Sequence, residues 1–223
     1  LTTMVFYAVF MKIVFKRPMI LRLGGVAFTH YYFSTIKKII PRFGTYLKTR
    51  FAYCFADKII CTNDGSPIGR VKKLFHAENK MIGLPNGFPK NALIKTNTGE
   101  RNRIVIVSRL NYWKYVDIAV EAFARLAKSH SGNIFLDIIG DGEEYQNLQN
   151  LIKSLHLQEK ITLHGRMSMP NTIFERAGIV WSLVSYNNTL EAIAAKKPCI
   201  AFDYGASRDI FGELDFVRIV QVL

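Results

Sequence analysis

Short apolar runs alternate along the second half of the chain with segments whose apolar positions recur every three or four residues. RIVIVSRL, IFLDIIGDG, KITLHG, IVWSLV and PCIAF read as strands, and FVRIVQVL at the end reads as another. VDIAVEAFARLAKS, EEYQNLQNLIKSLHL, NTIFERAG and NTLEAIAAKK read as helices. In the first of these, positions 116, 119, 120, 123 and 126 are apolar, which turns one stripe toward a core. Strands and helices in strict alternation, with short connections, predict an α/β fold with a parallel sheet covered by helices.

The first half is patterned differently. LTTMVFYAVFMKIVF is apolar over 15 residues with Lys12 inside it, too short for the roughly 20 residues of a spanning helix. It also lacks the charged start and cleavage site of a signal peptide, so a buried or amphipathic helix is expected. MILRLGG reads as a strand closed by Gly24 and Gly25, DKIICTN as a second strand and KMIGLPNG as a third ending in a turn. IGRVKKLFH reads as a short amphipathic helix, and residues 31–56 as helical on either side of Pro41. The polar stretch 89–103 is the best linker. It divides a domain over 1–88 from one over 104–223. A start at Leu1 and an end inside a strand suggest a piece of a longer protein.

Hydrophobic residues make up 49% of the 223, which excludes a disordered chain. The net charge of +13 is lopsided, since residues 1–100 carry 16 Lys and Arg against four acids. Such asymmetry speaks of partners and not of fold. It suits an anionic membrane, an anionic substrate or nucleic acid, or else a merely solvated basic face. The aromatic-basic stretch YYFSTIKKIIPRFGTYLKTR could stack single-stranded bases, but its helix-like spacing argues for packing, and no nucleic-acid partner is expected. Cys54, Cys61 and Cys199 are scattered through apolar surroundings and read as buried free thiols.

In open parallel sheets ligands sit beyond the carboxyl ends of the strands, which here points to Ser108, Arg109, Gly140, Asp141, Gly142, Gly165, Arg166 and the loop SYNN before Glu191. Arg109 follows RIVIV, and Lys114 lies five residues on, just before a helix. Two cations beside a helix N-terminus form a candidate diphosphate site, unless both are solvated loop residues. IIGDG has a G-x-G turn but no third glycine at the dinucleotide spacing. Glu191 is open to two readings. With Asn188 as N-cap it completes a capping box; alternatively its carboxylate accepts sugar hydroxyls.

The ordered set SRL, Lys114, GDG, HG and LEAIAAKKPCIAFDYG, preceded by KMIGLPNG, resembles the retaining glycosyltransferases of the GT-B fold, family 4. The resemblance spans roughly residues 5–215 and implies two Rossmann-like parallel-sheet domains, both incomplete here. It implies that Arg109 and Lys114 grip the donor diphosphate and carry catalysis. Glu191 would bind the donor ribose, with Gly165 and Arg166 near the nucleotide base and Gly24 and Gly25 on the acceptor side. The implied activity is a hexosyltransferase of polysaccharide biosynthesis, acting from a nucleotide-sugar donor onto a glycan or lipid-linked acceptor. Neither metal nor cofactor is implied, and the implied setting is cytoplasmic, peripheral on a membrane's inner face. One departure matters: the first of the family's two glutamates falls at Leu183. Asn187 or Asn188 would have to substitute; otherwise the chain is a non-catalytic binding module or partner subunit.

Overall fold

The computed structural model describes residues 2–23, 50–63, 79–85, 100–168, 171–203 and 207–221. The chain forms two compact units, Leu1–Gly87 and Phe88–Leu223. Gly24, Gly25, the IGRVKKLFH segment and the Asn86-Gly87 turn lie outside the described residues.

In the first unit, α1 (Thr2–Phe15) precedes β1 (Ile20–Leu23), β2 (Lys58–Asn63) and β3 (Met81–Pro85). Residues 50–55 are helical. The strands pair in parallel in the order β1-β2-β3, with Leu21 opposite Ile59 and Cys61 opposite Gly83. Asp57 locks this corner. One carboxylate oxygen accepts from Lys12 Nζ and the other from Met19 N, both at 2.7 Å. The Lys12 hydrogen bond, with the backbone donor second, holds the Asp57 carboxyl below its ordinary range.

Helix α1 is apolar all round. Val9 is buried, while Phe6, Tyr7, Phe10, Ile13, Val14 and Phe15 are exposed. It is therefore neither fully buried nor amphipathic in the usual sense. Among the described residues no helix is long and apolar enough to cross a membrane. Cys54 is exposed, contrary to expectation, because it lies on the outer side of the 50–55 helical segment while Ala52, Tyr53 and Ala56 face inward.

The second unit contains β4 (Glu100–Val107), α2 (Val116–Ser129), β5 (Phe135–Ile139), α3 (Tyr145–Ser154), β6 (Ile161–Gly165), α4 (Asn171–Arg176), β7 (Ala177–Ser182), α5 (Tyr186–Ala194), β8 (Cys199–Phe202), α6 (Ser207–Phe211) and β9 (Val217–Val220). All pairings are parallel, in the order β6-β5-β4-β7-β8-β9. Counted within the unit this is 3-2-1-4-5-6, the doubly wound order whose direction reverses between its first and fourth strands.

Alternation along β4 builds both cores. Ile104 and Ile106 join α2 and α3 on one face, where Val120, Phe123, Leu136, Ile138 and Leu148 are essentially sealed from water. Val105 turns the other way, to Phe174, Val180, Ala192 and Phe211. Burying a Phe or Leu in such a layer contributes about 2 kcal/mol. Helix α2 obeys its sequence periodicity, with Val116, Ala119, Val120, Phe123 and Ala124 buried. Asp117 in its first turn and Lys128 in its last complement the helix dipole.

β4 begins at Glu100, inside the stretch read as linker. Its polar start hid the strand. Glu100 pairs with Ala177 in the ladder, and its carboxylate takes Arg103 at 2.7 Å and Arg176 at 3.0 Å. The charges are thus spent on one another at the strand's edge, where apolar periodicity gives no cue.

Candidate functional site

Strands β4, β5, β6 and β7 end on one side of the sheet, and a cleft of about 690 Å³ opens there. That volume suits a small molecule. The cleft spans the reversal point between β4 and β7, which the strand order leaves uncovered.

Its floor is backbone packed on backbone. After Val107 the chain runs through Ser108 to Leu110, whose side chain is fully buried and anchors the loop. Ser108 N donates to Ile139 O at 2.9 Å, Leu110 N to Asp141 O at 3.0 Å and Glu144 N to Leu110 O at 2.8 Å. This approach explains the G-x-G turn: a Cβ on Gly140 would fall 1.7 Å from Ser108 O. The turn serves close packing of two loops.

Three cations line the cleft: Arg109, Lys114 and Arg166. Arg109 and Arg166 are exposed, and neither pairs with an acid among the described residues. Lys114 ends a 3-10 turn, Tyr112–Lys114; its ammonium donates to Val184 O and lies 4.3 Å from the centre of the Trp113 ring. No side chain caps the N-terminus of α2, which opens two residues further on. Against these cations stands one lining carboxylate, Asp141, which accepts from Gly142 N at 2.8 Å. Among the described residues no group of three His, Cys, Asp or Glu is placed to hold a metal.

The fourth wall comes from α5. Its N-cap is Ser185, whose hydroxyl accepts from Asn188 N. The capping-box reading with Asn188 as cap is therefore corrected. Both residues are good caps, but Ser182 Oγ grips Ser185 O at 2.9 Å and Thr189 Oγ1 donates to Ser182 Oγ at 2.8 Å, which fixes the turn three residues earlier. Asn188 thus falls in the first helical turn, where its amide donates to Val107 O and its side chain lines the cleft.

Glu191 sits one turn further along α5 and is not among the lining residues. It is half-buried, and burial lifts its carboxyl above the ordinary range. Of the other expected site residues, Gly165 immediately precedes Arg166 and its carbonyl accepts from Gly140 N at 2.9 Å. Gly24 and Gly25 lie outside the described residues. Leu183, where a glutamate was sought, is buried in the core. Met167, expected beside the nucleotide base, and Ser185, in the loop expected at the strand ends, also line the cleft; Trp113 lines it too and was not singled out from sequence. An aromatic directly before Lys114 was the available cue for Trp113.

The sequence profile described as "Glycosyl transferases group 1" matches residues 90–218. An uncharacterized glycosyltransferase of Haemophilus influenzae is 28% identical over 192 residues, covering 82% of this chain and 51% of its own length. The poly(glycerol-phosphate) alpha-glucosyltransferase of Bacillus subtilis is 28% identical over 120 residues, 52% of this chain and 18% of that protein. Among solved structures, Anabaena Alr3699/HepE in complex with UDP aligns at a TM-score of 0.75 with 16% identity, covering 99% of this chain and 63% of its own. WaaG, a glycosyltransferase of lipopolysaccharide biosynthesis, aligns at 0.71 with 13% identity, covering 92% and 62%. The chain thus spans about half the length of the first of these relatives and rather less than two thirds of these structures. Its fold is that of the GT-B glycosyltransferases, with a parallel α/β sheet in each unit. With the profile covering more than half of the residues, the chain belongs to the glycosyl transferases group 1 family.

Proposed function

We propose that the cleft is the donor site of a hexosyltransferase, which moves a sugar from a nucleotide-sugar to a glycan or lipid-linked acceptor with retention at the anomeric carbon. One observation carries the reading: three cations converge on a cleft at the reversal point of a doubly wound sheet. Arg109 and Lys114 would bind the diphosphate beside the uncapped start of α2 and stabilise the charge that grows as it leaves. Gly165 to Met167 would meet the base, Asn188 would face the donor, and Glu191 would accept from the ribose. The acceptor hydroxyl attacks the anomeric carbon from the face the diphosphate leaves. The carbon–oxygen bond to the diphosphate breaks, and the hydroxyl proton passes to the departing phosphate. The cations do the neutralising, so transfer should proceed in the presence of a chelator. UDP in the Anabaena structure supports a nucleotide of this kind.

Calorimetric titration of the full chain with nucleoside diphosphates tests this. Tight binding that falls about 10- to 100-fold in Arg109→Ala, the cost of a charge-assisted contact, supports the reading. No binding, or an unaffected Arg109→Ala, rejects it.

A second reading, a non-catalytic binding module of the same fold, is favoured by Leu183, which is turned into the core where an acid is expected. Donor hydrolysis or transfer would rule it out. The basic first half and the exposed apolar side of α1 support a peripheral position on an anionic membrane. Equal binding to neutral and anionic vesicles would refute that.

A further inference from the structure

Asp137 is a carboxylate in the middle of β5, only 4% exposed and away from the cleft. Both its oxygens are taken. Oδ2 accepts from Arg103 Nη1 at 2.8 Å, and Oδ1 meets His164 Nε2 at 2.9 Å. Arg103 is itself held by Glu100 at 2.7 Å and lies 5.3 Å from the centre of the Phe135 ring. A buried charge at this depth is costly unless every contact is satisfied. Nothing in the proposed transfer uses it.

Its purpose can be read from the ladder. β5 and β6 run in step through Ile138 opposite Leu163, and then Ile139 stands opposite Gly165. His164 is the extra residue, so the strand bulges at the position whose ring Asp137 holds. Immediately afterwards Gly165 adopts φ +67°, and Arg166 and Met167 line the cleft. Bulges next to active sites re-aim the residues that follow them. A side-chain tether is what makes such a re-aiming rigid.

We infer that the Arg103–Asp137–His164 chain is a positioning device that fixes the β6 bulge and so sets the Arg166–Met167 wall against the donor nucleotide. These are positioning residues; they touch no substrate. The inference rests on the donor-site reading above and names the residues that tune its nucleotide end. Because the carboxylate only accepts, His164 presents Nε2–H to it, and a glutamine amide is the natural mimic of that donor.

The test is calorimetric titration of the full chain with uridine diphosphate and guanosine diphosphate, in the unaltered protein, His164→Ala and His164→Gln. We expect His164→Ala to weaken its preferred nucleotide about tenfold and to narrow the preference between the two. His164→Gln should restore most of both. A purely structural role would lower thermal stability yet leave the preference of the folded fraction unchanged, and that result overturns the inference. So does a His164→Gln variant as impaired as His164→Ala. If the unaltered protein binds neither nucleotide, the donor-site reading itself falls and takes the inference with it. If it binds and His164→Ala discriminates equally well, only the positioning role is wrong.

Discussion

Adding one methyl group at Gly140 probes the packing beneath the cleft. The new Cβ would lie 1.7 Å from Ser108 O and 2.9 Å from its carbonyl carbon, where contacts under 3.0 Å force something to shift. The obstacle is backbone and cannot rotate away. It is held by Ser108 N to Ile139 O at 2.9 Å and, two residues on, by Leu110 N to Asp141 O at 3.0 Å. To open the gap from 1.7 to 3.0 Å, the exits of β4 and β5 must part by about 1.3 Å. The glycine's φ of +149° adds strain for any L side chain. Overpacking against an unyielding neighbour costs about 3 kcal/mol, the upper part of the usual range. At roughly 2–4 °C per kcal/mol, Gly140→Ala should lower the Tm of the second unit by about 6–12 °C. Gly165→Ala is the control. Its φ of +67° is unfavourable, but a Cβ there meets nothing within 4 Å, so about 1 kcal/mol and about 2–4 °C are expected. Scanning calorimetry of both variants decides. A Gly140→Ala transition within 2 °C of the parent, or a smaller loss than in Gly165→Ala, would refute the packing argument.

Other tests address single side chains. Ser185→Ala removes the cap of α5 and should cost about 1 kcal/mol, visible as a Tm lower by roughly 2–4 °C; no change would refute the capping role of Ser185. Burial raises the Glu191 carboxyl, so its contribution to stability is fully present below the unfolded carboxyl's pKa of about 4.3 and is lost as pH rises through the folded value. Glu191→Gln should therefore gain stability over the parent at pH 7 and none at pH 4, read from urea midpoints; equal gains at both would contradict the desolvation. Burial pushes the Cys199 thiol up to about 12. A disulfide reagent should therefore label Cys54 in the native protein and reach Cys61 and Cys199 only after unfolding. Rapid labelling of Cys199 would refute its burial.

The sheet was legible because parallel strands buried on both faces leave near-continuous apolar runs. RIVIV, FLDII and IVW mark β4, β5 and β7 directly, and the carboxyl-end rule then pointed to Arg109, Gly140, Asp141, Gly142 and Arg166. What stayed hidden depended on partners remote in sequence. Glu100 looked like linker because its strand character rests on Arg103 and Arg176. Ser185 and Asn188 are equal as caps until Ser182 and Thr189 fix the turn. Asp137 and His164, 27 residues apart, meet only through a register that no local pattern encodes. The short α6 gave no periodicity long enough to notice.

Two side chains cross the seam between β4 and β7 in opposite directions: Lys114 reaches Val184 O, and Asn188 reaches Val107 O. They stitch the strand exits together with groups that also line the hollow. An incoming molecule would meet walls already set, so little ordering entropy is lost on its arrival. The same stitching makes these two positions poor choices for engineering a wider mouth, because loosening either one loosens the hem.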